Sequence, residues 1–236
     1  MARLGFRMPS IQSAAGALAL TLVATSIVAA LVAPLFGVLA LLPSAVLHGF
    51  VWQLLSYAFL ERSPMGVIFG AIILWSIGGM LEYTWGRRRF LRFSLTITVL
   101  SGVATVLLWL LLPNWVQSAY AGSVLTGSLW VAYGLQIGRG QTNFWGLAVT
   151  GNVLALIGAG FVLLNVIFAG SVSAFVPELF GLLFTFLYMR GVQPELLWLR
   201  FRTALLNRQL AKRAVHLKSV DGGRRSGGSG SDKFLH

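Results

Sequence analysis

The chain has no cysteine among its 236 residues. Disulfides, thiolate metal sites and cysteine nucleophiles are therefore excluded. Charge is also scarce, because Asp, Glu, Lys and Arg make up only 10% of the residues, whereas about 25% is usual in soluble domains. A soluble fold cannot cover its surface with so few charges, and 57% of the residues are hydrophobic. The sequence therefore predicts an all-α polytopic membrane protein whose first partner is the lipid bilayer.

Histidine and lysine are missing from most of the apolar sequence. The three histidines are His48, His216 and His236, and all three lysines lie at position 212 or later. A serine nucleophile needs a base within hydrogen-bonding reach, so a Ser–His dyad would require His48 to fold in from an early loop. A zinc site needs three or four suitable ligands, and we expect no metal and no cofactor. The scarcity of mid-membrane ionisable residues also argues against a small transporter or channel.

Six apolar segments approach the roughly 20 residues that a helix needs to cross the hydrocarbon core. They are 14–33, 64–85, 90–112, 120–138, 144–169 and 174–190. Arg87, Arg88 and Arg89 follow the second segment, Arg139 follows the fourth, and ten of the eighteen basic residues lie from Arg190 onward. Lys and Arg are retained on the cytoplasmic side. We therefore expect six transmembrane helices with both termini cytoplasmic, and no nucleic-acid partner.

The remaining sequence divides into flanking segments. We expect a cytoplasmic N-terminus over 1–13, a membrane domain over 14–190, a basic amphipathic helix over 191–218 and a disordered tail over 219–236. The long first loop, 34–63, is rich in aromatic residues and is broken by Pro and Gly, which is typical of an interfacial loop. Gly66-x-x-x-Gly70 and Gly134-x-x-x-Gly138 allow close helix packing within the chain. A homodimer is an alternative use of the same spacing.

Two stretches resemble the rhomboid family of intramembrane serine proteases. The run from Trp52 to Leu60 is similar to the Trp-Arg motif of the family's first loop, and the spacing of Trp75, Gly78, Glu82 and Gly86 is similar to the end of its second span. The resemblance covers about residues 43–190. It implies a rhomboid-like six-helix bundle with structural roles for these residues and for Gly181. We expect Glu82 to pair with the arginines that follow it.

The positions that the resemblance implies for catalysis are altered. Counting back from Glu82 puts Gly66 and Gly70 where the family has the His and Asn that stabilise the oxyanion. The nearest match to the nucleophile motif is Ala121-Gly122-Ser123-Val124, with Ser128 a poorer candidate. Glu178, three residues before Gly181, stands where the family has its histidine base. The resemblance therefore implies a Ser123 without its usual base and oxyanion donors.

We therefore expect a rhomboid-like pseudoprotease that binds transmembrane clients or partner proteins without cleaving them. Loss of a single oxyanion donor alone commonly costs about 10²–10³ in rate. One alternative is a divergent intramembrane serine protease that uses Ser123 with Glu178 or His48 as base. A small transporter or channel is the other alternative. The frequent alanine, glycine and arginine suggest a bacterial inner membrane.

Overall fold

The computed structural model of the chain describes residues 13–117, 119–122, 124–144 and 146–191, together with Thr203. The chain divides after Gly191, and the helical bundle belongs to the first of the two units. Apart from Gly191 and Thr203, the predicted amphipathic helix over 191–218 and the tail over 219–236 lie outside the described residues.

The bundle consists of long apolar helices joined by short elements. The helices are α1 (Ala14–Leu31), α2 (Ala33–Leu39), α3 (Pro43–Leu47), α4 (Gln53–Ser56), α5 (Pro64–Trp85), α6 (Arg87–Leu111), α7 (Val124–Ile137), α8 (Gly151–Ala169) and α9 (Val176–Met189). Turns of 3₁₀ helix cover Tyr57–Phe59 and Val172–Phe175. The two strands are β1 (Gln141–Phe144) and β2 (Leu147–Thr150). The predicted helical membrane protein is confirmed at this level.

Five helical stretches in the described part of the chain are long and apolar enough to cross a membrane. They are α1, α5, α6, α8 and the continuous stretch Val172–Met189. Their outward faces are apolar, with Phe168 86% exposed and Leu31 79% exposed. Such faces suit lipid, where apolar exposure carries no penalty.

The predicted fourth span, 120–138, is shorter in the structure. Helix α7 has 14 residues and rises about 21 Å, less than the roughly 30 Å of a hydrocarbon core. Ten of those 14 residues are buried, and the helix packs against α5, α6, α8 and α9. A helix enclosed in this way can be short, because its neighbours cover the backbone at its two ends.

The predicted fifth span, 144–169, begins too early. Residues 141–150 form an antiparallel hairpin with the register Gln141 to Thr150, and α8 starts only at Gly151. Gly146 has φ +88°, a conformation that glycine adopts without strain. The apolar side chains of β2 made the hairpin look like a continuation of the helix.

Glycines bring α7 and α8 together at that point. A Cβ added to Gly134 would lie 2.4 Å from the Ala155 nitrogen, and one added to Gly151 would lie 2.5 Å from the Gly134 oxygen. The Gly134-x-x-x-Gly138 spacing therefore serves packing within the chain. Amides of α8 extend the contact, because Asn152 N donates to Gly138 O at 2.8 Å.

Candidate functional site

Helices α7 and α9 run parallel and approach closely at Gly181. A Cβ on Gly181 would lie 2.6 Å from Val124 Cγ2 and 2.9 Å from Ser128 Oγ. Just before the two helices begin, the Tyr120 hydroxyl donates to Ser173 O at 2.7 Å. Glu178 precedes Gly181 by three residues and shares its helix face. Glu178 therefore lies level with the segment that leads into α7.

That segment, residues 119–122, is held by the first loop. Leu41 and Tyr120 exchange two backbone hydrogen bonds of 2.9 Å, and Gly122 N donates to Tyr57 O at 2.9 Å. Gly122 has φ +90°, which suits glycine and strains most other residues. We call this part of the bundle the first-loop end, and the opposite part, where α5, α7 and α9 finish, the arginine end.

Glu61 fills the space beside this segment. A Cβ on Gly122 would lie 2.7 Å from Glu61 Oε2, and a Cβ on Gly66 would lie 2.6 Å from the same oxygen. The Glu61 amide donates to Ser26 Oγ at 3.0 Å, and the Thr25 hydroxyl donates to Phe59 O. Helix α1 thus holds the end of the first loop, so that the Glu61 carboxylate lies between Gly66 and Gly122.

The second glycine at an implied oxyanion position is also enclosed. A Cβ on Gly70 would lie 3.3 Å from Leu22 Cδ1 and 3.5 Å from Thr126 Cγ2. Helices α1 and α7 therefore lie against α5 at Gly70, where a longer side chain would need room. At both positions that the resemblance implies for the oxyanion donors, neighbouring side chains therefore lie against the glycine.

Glu178 is buried without a full set of partners. Its side chain is 6% exposed, and its Oε2 atom has no hydrogen-bond partner within the described part of the chain. Such a group is costly in a protein interior unless something satisfies it. Glu178 follows Pro177 in the first turn of α9, where a negative charge suits the helix dipole. That position alone does not explain a buried side chain with an unpartnered oxygen.

Two tyrosines surround the segment, and both stay protonated. Burial raises the pKa of Tyr57 well above its usual value of 10, and the charge of Glu178 raises it further. Burial also raises the pKa of Tyr120 to about 12, with an opposing hydrogen bond from Gln117 and a smaller contribution from the Glu178 charge. Tyr57 donates its hydroxyl to Thr98 O at 3.0 Å. These phenols act as neutral structural donors.

The other predicted catalytic residues are Ser123 and His48. Ser123 lies outside the described residues, so its relation to Glu178 stays a prediction. His48 is exposed at the end of α3, and its Nδ1 lies 2.7 Å from Ser44 O. Within the described residues, no group of three or more metal-binding side chains occurs.

Gln53, the residue after Trp52, organises the first loop through its side-chain hydrogen bonds. Gln53 is 1% exposed; it accepts from Leu42 N at 3.0 Å and donates to Gly37 O at 3.1 Å. Trp52 donates its indole N–H to Val38 O at 3.1 Å. Gln53 also donates to Val38 O at 3.3 Å, so it holds three backbone groups, because its amide is both donor and acceptor.

Glu82 has a different role from the predicted pairing with the arginines. Its carboxylate accepts from Ala14 N at 3.0 Å and from Ala15 N at 2.8 Å. It therefore caps the start of α1, where free amides and the helix dipole favour a negative charge. Arg89 instead lies 5.0 Å over the Trp85 ring.

The remaining motif residues are structural. A Cβ on Gly78 would lie 3.3 Å from Ala15 Cβ, which brings α1 close to α5. Gly86 ends α5 with φ +79°. Trp75 lines a shallow apolar groove of about 300 Å³ between α1 and α5.

Sequence reasoning missed Glu61, Gln53, Tyr57 and Tyr120. Glu61 carried one signal, since an acid just before the Ser63-Pro64 helix start is unusual in an apolar loop. Nothing in the sequence pairs it with Gly122, because that contact depends on how the first loop folds.

Comparison with known proteins adds two similarities. Residues 16–195 match a family described as "Eukaryotic integral membrane protein (DUF1751)". A curated relative, "Rhomboid-like protein 19" of Arabidopsis thaliana, is 33% identical over 84 residues, which is 36% of this chain. The matched region spans 27% of that relative's length. The family description is eukaryotic, so the expected bacterial inner membrane is not supported, whereas a multi-pass membrane protein is.

Proposed function

The chain belongs to this eukaryotic, rhomboid-like family of integral membrane proteins, and from that premise we propose that it is a pseudoprotease that binds transmembrane segments without cleaving them. The observation that carries the proposal is the Glu61 carboxylate between Gly66 and Gly122. A negative group at the implied oxyanion position opposes the charge that develops during acyl transfer.

The position of His48 and the protonation of the two nearby tyrosines support the same proposal. A serine is a weak nucleophile unless a base accepts its proton, and the exposed His48 ring contacts its own helix at Ser44. Tyr57 and Tyr120 have raised pKa values and stay protonated at neutral pH. They therefore offer no alternative base.

The proposal includes six crossings of the membrane by this chain. Helix α7 would complete the sixth crossing, with the first loop and the hairpin covering its ends. Arg87, Arg139 and Arg190 follow α5, α7 and α9 and lie at the arginine end, which supports a cytoplasmic position for that end and for both termini. Clients would then enter the bundle from the bilayer.

Cleavage of a model transmembrane substrate of rhomboid proteases tests the proposal. The purified chain, its Ser123→Ala variant and an active rhomboid protease are compared in one detergent. We expect cleavage by the active protease alone. Cleavage by the wild-type chain that Ser123→Ala abolishes would overturn the proposal.

The second candidate is a divergent serine protease with Glu178 as base. The unpartnered Glu178 Oε2 atom, level with the segment before α7, favours it. In that case, Glu178→Gln would abolish cleavage together with Ser123→Ala. Under the pseudoprotease proposal, neither substitution changes the absence of cleavage.

A further inference from the structure

A shallow apolar groove runs along the surface between α1 and α5. It extends along α1 from Gly16 to Val23 and along α5 from Ala71 to Trp75, and its volume is about 300 Å³. Apolar side chains and glycine line it, and Leu20 at its edge is 64% exposed. The groove therefore opens on the face that these two helices present to lipid.

The depth of the groove in the membrane follows from the position of α1. Helix α1 has 18 residues and rises about 27 Å, close to the roughly 30 Å of a hydrocarbon core. Gly16 and Val23 lie about 3 Å and about 14 Å from Ala14 along the helix axis. Glu82 caps the start of α1 at the arginine end, so the groove lies in the half of the core that is nearer that end.

The length of the groove fits a lipid tail better than a helix. From Gly16 to Val23, α1 rises about 10 Å, whereas a transmembrane helix would run along the whole core of about 30 Å. An acyl chain belongs to one leaflet and covers about half of that thickness, so the groove can hold most of its length. Within lipid, close van der Waals packing is what favours such a contact.

The arginine end begins next to the mouth of this groove. A Cβ added to Gly78 would lie 3.3 Å from Ala15 Cβ and 3.4 Å from Phe90 Cζ, so the first turns of α1 and α6 meet there. Ala15 directly precedes Gly16 of the groove. Arg87 lies three residues before Phe90, on the same face of α6, and is exposed. Arg87 therefore lies beyond the mouth of the groove, at the level of the lipid headgroups.

The charges around Arg87 favour an anion at that level. Arg88 follows it and is also exposed. Among the described residues, Glu82 is the acid at this end of the bundle, and its carboxylate accepts the amides of Ala14 and Ala15. Basic residues next to a membrane span attract anionic lipids. An apolar groove and a positive charge beyond its mouth match the tail and the headgroup of one anionic lipid.

We infer that the groove between α1 and α5 binds one acyl chain of an anionic phospholipid from the leaflet at the arginine end, with the Arg87 guanidinium facing the phosphate. The inference goes beyond the proposed client binding, because it depends neither on clients nor on cleavage. The bound lipid would fill the seam between two helices that contact each other.

Quenching of tryptophan fluorescence by lipids with brominated acyl chains tests the inference. The full chain is placed in phosphatidylcholine vesicles that contain increasing fractions of brominated phosphatidylserine or of brominated phosphatidylcholine with the same acyl chains. The Trp75 signal is the difference between the chain and its Trp75→Phe variant. We expect phosphatidylserine to quench this signal at an about fivefold lower fraction, the effect of about one arginine near a membrane surface.

Matched variants separate the tail site from the headgroup site. Ala71→Leu narrows the groove and should reduce quenching of Trp75 by both lipids. Ala30→Leu adds the same side chain at an exposed position of α1 outside the groove and should leave quenching unchanged. Arg87→Gln should remove most of the preference for phosphatidylserine, whereas Arg139→Gln, the same charge change after α7, should keep it. Both arginines are exposed, so neither substitution disturbs the packing of the bundle.

Three results would overturn the inference. The first is equal quenching of Trp75 by the two brominated lipids. The second is a preference for phosphatidylserine that survives Arg87→Gln or that Arg139→Gln removes equally. The third is the absence of Trp75 quenching by either lipid, which would mean that another helix or a second copy of this chain covers the groove.

Discussion

Glu82 is the residue that fixes the start of α1 to the end of α5. Both of its carboxylate oxygens accept helix amides, from Ala14 and Ala15, and the Ser13 hydroxyl accepts from Gly16 N at 3.0 Å. The first turn of α1 is therefore capped by Glu82 from the distant helix α5 and by Ser13, the residue just before α1. This arrangement joins α1 to the bundle by more than apolar contact.

Replacing Glu82 with Ala should lower the free energy of unfolding by about 1–2 kcal/mol, because two helix amides lose their acceptor. Thr84→Ala is the matched control, since the Thr84 hydroxyl bonds only within α5, to Met80 and Leu81. Thermal unfolding in detergent measures both. Equal stability of the two variants would contradict the capping role.

Gln53 is a buried residue whose replacement should loosen the first loop. Replacing Gln53 with Leu keeps its bulk but leaves Leu42 N and Gly37 O without their partner. Each unsatisfied buried group costs about 1–3 kcal/mol. We expect the Leu42 amide to exchange hydrogen at least about tenfold faster.

Hydrogen exchange followed by mass spectrometry checks this prediction. Val51→Ala serves as control, because Val51 is 62% exposed and belongs to the same loop. Unchanged exchange at residues 37–42 in the Gln53 variant would mean that the loop is held by other contacts.

For single residues, the sequence predicted which positions have structural roles better than it predicted what those residues contact. The spacing from Trp75 to Gly86 marked positions with structural roles, since Gly78 lies against Ala15 of α1 and Gly86 ends α5 at a positive φ. Glu82 was assigned to the adjacent arginines, since sequence proximity favours them, whereas the fold brings the start of α1 closer. Contacts across 68 positions of chain leave no local pattern.

The crossing of α7 and α8 is a close contact between two long helices. Its close approach is backbone to backbone at Gly134 and Gly151, so no side chain can move aside to admit a methyl group. The contact fixes α7 in the middle of the bundle.

Gly134→Ala should therefore destabilise the chain by about 1–3 kcal/mol or more, as expected for overpacking. Gly160→Ala in α8 is the matched control, because nothing lies within 4 Å of its added Cβ. That control should be neutral or slightly stabilising, since alanine is the better helix former. Thermal unfolding compares the two, and equal losses would contradict the packing described.

The elements were predictable where apolar runs were long and uninterrupted. Proline at Pro64 and glycine at Gly86 bound α5 as the sequence indicated. The hairpin before α8 was not predictable by hydropathy, because Leu147, Ala148 and Val149 suit a strand and a span equally. The apolar stretch is long enough to include both the strand and the helix. Its length therefore led to a predicted span that starts too early.

For the whole molecule, we predict that the arginine end faces the cytoplasm. In sealed vesicles whose outer face is the cytoplasmic face, a cysteine placed at Gly86 in this cysteine-free chain should react with an impermeant maleimide directly. A cysteine at Gly49, in the first loop, should react only after the vesicles are opened. Both positions are exposed glycines with open space around them, and both have a positive φ, so the two cysteine variants carry a similar backbone strain.

The reverse labelling pattern would contradict the predicted orientation. Labelling at both sites in closed membranes would indicate mixed insertion, which also contradicts it. Because the chain has no native cysteine, no background removal is required, and each variant changes a single residue.

Glu61 lies against Gly66 and Gly122, and we therefore predict that Ser123 is not an activated nucleophile. A fluorophosphonate probe tests this most directly, because it labels an activated serine without needing a matching substrate. The wild-type chain and Ser123→Ala are treated at saturating probe beside an active rhomboid protease. We expect strong labelling of the protease and none of the chain. Labelling of the wild-type chain that Ser123→Ala removes would contradict the pseudoprotease proposal.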